Sequence, residues 1–212
     1  MEKLDLAKTH KAYYTAKATP ELVDIGPAAY LSIAGQGDPS GQTYATRVGA
    51  LYGVAYTLKF MYKAKQKDFT VAKLEGMWWF DEDRFGRPSM EEAPVKVPRS
   101  EWQWRMLIRL PDFVTPKALD DAIDAAFQKK KTDAMRDVVW HEEKKQKVVQ
   151  MLHTGPFSEE PATLKKMLAF IEEHQLKKAG LHREVYLSNY KTTASAKLRT
   201  ILREPVETTD PI

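Results

Sequence analysis

The sequence predicts an α+β fold: two strand–helix–strand–strand modules related by a pseudo-two-fold, with antiparallel sheets, helices on one face and a ligand groove on the other. Three observations predict it. Short segments alternate apolar and polar residues, as half-buried strands do. Longer segments repeat apolar residues at helical spacing. The order of these segments, strand, helix, strand, strand, then occurs twice along the 212 residues, an internal repeat of architecture.

The first strand is AAYLSIAG, Ala28 to Gly35, with Leu31 and Ile33 on one side and Tyr30 and Ser32 on the other. QGDPSG breaks it with Gly and Pro. From Thr43 to Tyr62, Tyr44, Val48, Leu51, Tyr52, Ala55 and Leu58 recur at helical spacing. Gly49 and Gly53 lower helix propensity there, and close approach to a sheet is a reason to keep them. FTVAKLEGMWWF and EWQWRMLIRLP follow as two strands. Between them the Pro- and acid-rich loop Asp81 to Ser100 is a candidate lid. These elements make module one, about 28–110.

A linker region, 111–147, holds the helix TPKALDDAIDAAFQKKK, with Thr115 as N-cap and Pro116 at the first position. DAMRDVVWHEEKKQK is assigned no element. Module two, about 148–206, repeats the order. KVVQMLHTG is a strand, PFSEEP a turn, and ATLKKMLAFIEEHQL a helix with Leu164, Leu168, Ile171 and Gln175 in register and Gly180 as its stop signal. HREVYLSNY and AKLRTILREPV are the closing strands. The whole chain, 1–212, reads as a single domain.

Composition narrows the function. The net charge of +4 is mild, and no helix-turn-helix, RNP or zinc-finger pattern points to nucleic acid. Cysteine is absent, which removes disulfides, thiolate metal sites and cysteine nucleophiles. No H-E-x-x-H motif supports a metal, although His182 and Glu184 share one side of a strand and His153 is a possible neighbour. GQGDPSG lacks the P-loop Lys, and no G-x-S-x-G occurs. No apolar run spans a membrane and no secretion signal opens the chain, so a cytoplasmic protein is expected.

Two carboxylates stand out. Glu75 lies mid-strand in KLEGMWWF, and Glu184 lies mid-strand in HREVYLS, the corresponding strand of the second module. Alternation groups Glu75 with Met77 and Trp79, and Glu184 with Tyr186. If helices cover the Leu74 and Val185 sides, both acids face the groove, with Tyr30 and Ser32 beside them. Two readings stay open. The acids are wet strand residues paired with Arg105, Arg183 or Arg199, or they share an aromatic pocket that supports acid–base chemistry or binds a cation. Trp102 and Trp104 read as core, with Trp102 also placed to line one end of the groove.

The order AAYLSIAGQGDPSG, KLEGMWWF, HREVYLSNY resembles the GyrI-like small-molecule-binding family, over roughly Ala28 to Val206. The resemblance implies a pocket acid at Glu184 that meets aromatic or cationic small molecules. L-E-G-x-W-W is similar to a stand-alone branch of hydrolases that open the cyclopropane of DNA-alkylating antibiotics of the yatakemycin and duocarmycin type. On that likeness Glu184 is the base and Glu75 a second acid, with the two roles interchangeable. Tyr186 is a donor to the developing oxyanion, and Trp79, Tyr30, Met77, Trp102 and Ser32 line the ligand. No cofactor is implied. A binding module without chemistry is the rival reading. A role towards DNA gyrase follows from the family name alone, and no residue supports it.

Overall fold

The computed structural model describes residues 3–86, 88–89 and 92–208. In chain order the strands are β1 (Glu21–Ile25), β2 (Ala28–Gln36), β3 (Leu74–Trp79), β4 (Gln103–Arg109), β5 (Val139–Glu143), β6 (Gln146–Thr154), β7 (Leu176–Lys178), β8 (His182–Tyr186) and β9 (Arg199–Thr208). The helices are α1 (Leu6–Thr9), α2 (Gln42–Ala64), α3 (Glu82–Phe85), α4 (Ala93–Lys96), α5 (Pro116–Lys130) and α6 (Glu160–Glu173). All described strands join one antiparallel sheet in the order β1-β6-β9-β8-β3-β4-β2-β5, with β7 on β9.

That order is symmetric about the β8–β3 pair. Strands β3, β4 and β2 step outward on one side, and β8, β9 and β6 on the other. Helices α2 and α6 occupy equivalent places in the two halves, as the repeated segment order predicts. The sequence assigned no element to 139–143 or 21–25; they form β5 and β1, which extend the outer edges of β2 and β6.

Helices α2, α5 and α6 cover one face. Leu31, Ile33, Trp104, Met106 and Ile108 from the sheet pack against Val48, Leu51, Val54 and Leu58 of α2 and Leu119 and Ala122 of α5. Because α2 lies between the sheet and α5, it is apolar around much of its circumference. A Cβ at Gly53 would stand 2.6 Å from the Met135 Cε, so this glycine admits the segment after α5, not the sheet. Thr115 caps α5, its Oγ1 accepting from the Ala118 N–H at 3.3 Å, with Pro116 in the first turn. In the second half Val149, Met151 and Leu202 pack on Leu164, Met167 and Ile171. Met167 takes the inward place expected of Leu168, which is 36% exposed. The helix stops at Gln175 in the left-handed region (φ 52°), and Gly180 falls after β7.

The opposite face carries the N-terminal segment. Leu6, Tyr13 and Tyr14 pack on Val148, Val185 and Ile201. Tyr13 reaches the sheet most deeply. Its hydroxyl donates to Glu75 Oε2 at 2.6 Å and lies 3.0 Å from the Tyr30 hydroxyl. The Arg109 and Arg203 guanidinium carbons stand 4.5 and 4.3 Å from its ring centroid. Burial, then the Glu75 charge, pushes the Tyr13 hydroxyl well above the usual tyrosine range, so it stays a donor.

The register of β3 on β8 corrects the expectation that Glu75 and Glu184 share a groove. Glu75 pairs with Val185, and Gly76 with Glu184. Directly opposed residues point to the same side of a sheet, so the two acids lie on opposite faces. The Leu74 and Tyr186 sides coincide, and the Val185 side is the one under the N-terminal segment. Met77, Trp79, Tyr30 and Ser32 fall on the Glu75 face with it.

Tyr13→Phe is expected to destabilise the fold by about 1–3 kcal/mol, because it removes the hydroxyl donor from a fully buried carboxylate. Urea unfolding followed by circular dichroism reads this directly, and an unchanged midpoint would show that the segment does not anchor the sheet.

Candidate functional site

On the helix-bearing face, Glu184 stands at the seam of the two modules. Strand β8 alternates, so His182, Glu184 and Tyr186 point together to this side. Across the pair lies Gly76. A Cβ there would meet the Trp78 Nε1 and the Tyr186 hydroxyl, each at 2.8 Å, and the Met106 Cε at 2.7 Å. The missing side chain therefore leaves the space in which Trp78 and Tyr186 meet. The Trp78 indole N–H donates to the Tyr186 oxygen at 3.1 Å. The Tyr186 hydroxyl in turn bonds Glu184, and burial together with that carboxylate's charge raises it well above the usual tyrosine range. Indole, phenol and carboxylate form one directed chain of hydrogen bonds.

His182 holds the other side of the carboxylate. Its Nδ1 lies 2.6 Å from Glu204 Oε1, and its Nε2 lies 3.5 Å from Glu184 Oε1. Lys178 pairs with the second Glu204 oxygen at 3.2 Å. Burial alone would lower the imidazole's pKa, but Glu204 and Glu184 outweigh it and raise His182 to about 10. At neutral pH it is an imidazolium between two carboxylates.

A third acid approaches from α6. Glu160 is 8% exposed, and its Oε1 has no hydrogen-bond partner among the described residues. Burial, then the charge of Glu184, pushes its carboxyl well above the usual range, against the weaker opposing effect of His182. Burial and that charge both favour the neutral form of the Glu160 carboxyl.

Aromatic rings surround these groups. Tyr44 of α2 stacks on Trp78 with centroids 6.2 Å apart, and Trp102 meets Trp78 edge-on at 6.0 Å. Phe157, before α6, meets Tyr186 at 6.0 Å and is 40% exposed. Tyr44 is itself raised above the usual range by burial and by the nearby Tyr190 and Glu184. Trp78 and Trp102 are half-buried. The site is an anionic floor with an aromatic rim, which suits flat or cationic ligands.

Of the residues expected here, the structure brings together Glu184, Tyr186 and Trp102. Glu75, with no exposed surface, does not reach this space. Tyr30 and Ser32 are buried on the other face; Trp79 and Met77 are half-buried there, the Trp79 indole donating to Gln103 Oε1 at 2.8 Å. Sequence reasoning missed Tyr44, which read as a helix stripe residue, and Glu160, which lay in an acidic turn. Trp78, which alternation sets on the Leu74 side of its strand, lies on the helix-bearing face at the rim of the site. The signal available was the Gly within LEGMWW, since a glycine inside a strand marks a close approach. Among the described residues no group of three metal-ligating side chains occurs; His153 instead bonds Thr163 at 2.9 Å. In the region expected as a lid, α3 and α4 are short helical turns, and residues 87, 90 and 91 lie outside the described residues. No described helix is long and apolar enough to cross a membrane.

Comparison with known proteins adds to this geometry. The model of the GyrI-like small molecule binding domain matches residues 114–207. An uncharacterized conserved protein from Listeria innocua has 34% identity and a TM-score of 0.86, over 97% of this chain and 100% of that one. A hydrolase from Listeria innocua has 33% identity and a TM-score of 0.82, again over 97% and 100%. The EcmrR C-terminal domain, at 11% identity and a TM-score of 0.55 over 90% of this chain and 98% of that one, shares the fold. No curated protein matches the chain.

The raised pKa of His182 has a consequence for stability. A group bound more tightly to its proton in the folded state stabilises fully below its unfolded value, ~6.5. That contribution is lost as pH rises towards the folded value of about 10. Unfolding free energy is expected to fall between these limits, and His182→Gln to flatten the slope in urea titrations at several pH values.

Proposed function

Since this chain belongs to the GyrI-like small-molecule-binding family, we propose that it is a hydrolase that adds water to the cyclopropane of cyclopropanoid antibiotics of the yatakemycin and duocarmycin type, a detoxification. The observation that carries this reading is the Glu184 carboxylate, oriented by Tyr186 and His182 inside an aromatic rim. The Listeria hydrolase, 33% identical along nearly the whole chain, supports hydrolysis over binding alone.

The chemistry follows from the groups present. The flat heteroaromatic body stacks on the open faces of Trp78 and Trp102, which Tyr44 backs from beneath. Glu184 takes a proton from water as the water oxygen bonds to the strained ring carbon. The ring C–C bond breaks, and its electron pair passes through the conjugated dienone to the carbonyl oxygen, which becomes a phenolate. Glu160, held as the neutral acid, gives that oxygen its proton. The product is substrate plus one water, and return of the proton from Glu184 to Glu160 restores both groups. Tyr186 acts through Glu184 as a positioning residue, since its hydroxyl already donates to the carboxylate. Glu160 replaces Glu75 as the second acid.

A second reading is a binding module without chemistry: the same carboxylate and aromatic faces favour a lipophilic cation. Incubation with a duocarmycin-type compound separates the two by mass spectrometry, as a water adduct or as ligand recovered unaltered. Glu184→Gln is expected to slow adduct formation at least about 100-fold, Glu160→Gln to slow it less, and Glu75→Gln to leave turnover per folded molecule intact. Undiminished turnover by Glu184→Gln would overturn the assignment.

A further inference from the structure

The face that carries the N-terminal segment has a cavity of its own, of about 250 Å³. Its apolar walls include Ile25, Met77, Val148 and Pro205, and two buried guanidiniums, Arg183 and Arg203, line it. The two arginines differ in how their charge is met. Arg183 lies 3.8 Å from Glu75 Oε2 and 3.6 Å from Glu143 Oε1. Arg203 has no carboxylate within 4.0 Å among the described residues. Its Nε donates to Gln150 Oε1 at 3.0 Å, its Nη2 donates to the Tyr13 carbonyl, and its Nη1 has no partner among the described residues. Arg203 is 1% exposed. With Arg105 and Arg109 on the same side, four buried or half-buried guanidiniums meet three carboxylates, Glu21, Glu75 and Glu143, on this face.

We propose that this cavity is a second ligand site, taking a small organic monoanion with an apolar body, such as an aromatic carboxylate or phenolate. A buried guanidinium N–H without an acceptor is costly, and an anionic oxygen is the partner that satisfies both its hydrogen bond and its charge. One unmatched positive charge selects a single negative charge, because Glu143 also lines the cavity and repels a dianion. The apolar walls accept a ring or short alkyl body. The volume lies below the ~300–1,000 Å³ usual for drug-sized ligands, so the occupant is smaller than a cyclopropanoid antibiotic. The site does not depend on the hydrolase reading, since Glu184 lies on the opposite face.

Isothermal titration with benzoate, benzamide and inorganic phosphate tests this on the full chain. Saturable one-site binding of benzoate is expected, with benzamide and phosphate at least about tenfold weaker. Arg203→Met should lose at least about tenfold in benzoate affinity, and Glu184→Gln should bind as the wild type does. Should Arg203→Met fail to fold by circular dichroism, Leu181→Trp replaces it. Leu181 lines the cavity and is 38% exposed, so a larger ring there should block entry without touching a charge. Three results would each overturn the proposal: no saturable benzoate binding, equal binding of benzamide, or loss in Glu184→Gln with retention in both cavity variants.

Discussion

The pairing of Gly76 with Glu184 at the β3–β8 seam is the constraint on which the molecule's chemistry rests. This one register joins the two modules and decides which side of the sheet every residue of both central strands occupies. A slip of one residue would exchange the faces. It would bury Glu184 beneath the N-terminal tyrosines and set Val185 among the aromatic rim. The register also places a residue without a side chain opposite the carboxylate, so that an indole and a phenol can approach it together.

The two faces have opposite electrical character. His182, Arg183 and Glu184 are consecutive in one strand, yet their partners belong to separate clusters. The helix side holds Glu160, Glu184 and Glu204 against His182 and Lys178. The other side holds Arg105, Arg109, Arg183 and Arg203 against Glu21, Glu75 and Glu143. Burying ions costs several kcal/mol each unless partners are supplied. The helix side meets that cost by bridging one imidazolium between carboxylates and by favouring the neutral form of Glu160. The other side meets it with tyrosine hydroxyls and ring faces.

Much of this was legible in the sequence because it is periodic. Alternation identified the central strands and grouped residues correctly within each one, including Glu184 with Tyr186 and Glu75 with Met77 and Trp79. The order of segments revealed the repeat. What alternation does not contain is the phase of one strand relative to its neighbour, which is fixed by hydrogen bonding across the pair. Glu75 was therefore assigned to the wrong partner, although its strand was right. Tyr44 and Glu160 were hidden for another reason: each sits on or beside a helix whose approach to the sheet no local pattern encodes. The N-terminal segment holds only helical turns of four residues each, too short to show a period, so its role as the cover of the second face was not visible.

The position of β8 in the sheet bears on how a ligand enters. It is hydrogen-bonded on both edges near the centre of the sheet, by β3 on one side and β9 on the other. Backbone amides so placed open only with the most global unfolding events and exchange slowest with solvent. The carboxylate thus stands on the least yielding part of the molecule. Any motion that admits a ligand to it belongs to the rim, to Phe157 and Trp102 on their connecting segments. The backbone that carries the acid is thereby held on both edges, whereas the rim rings hang on connecting segments.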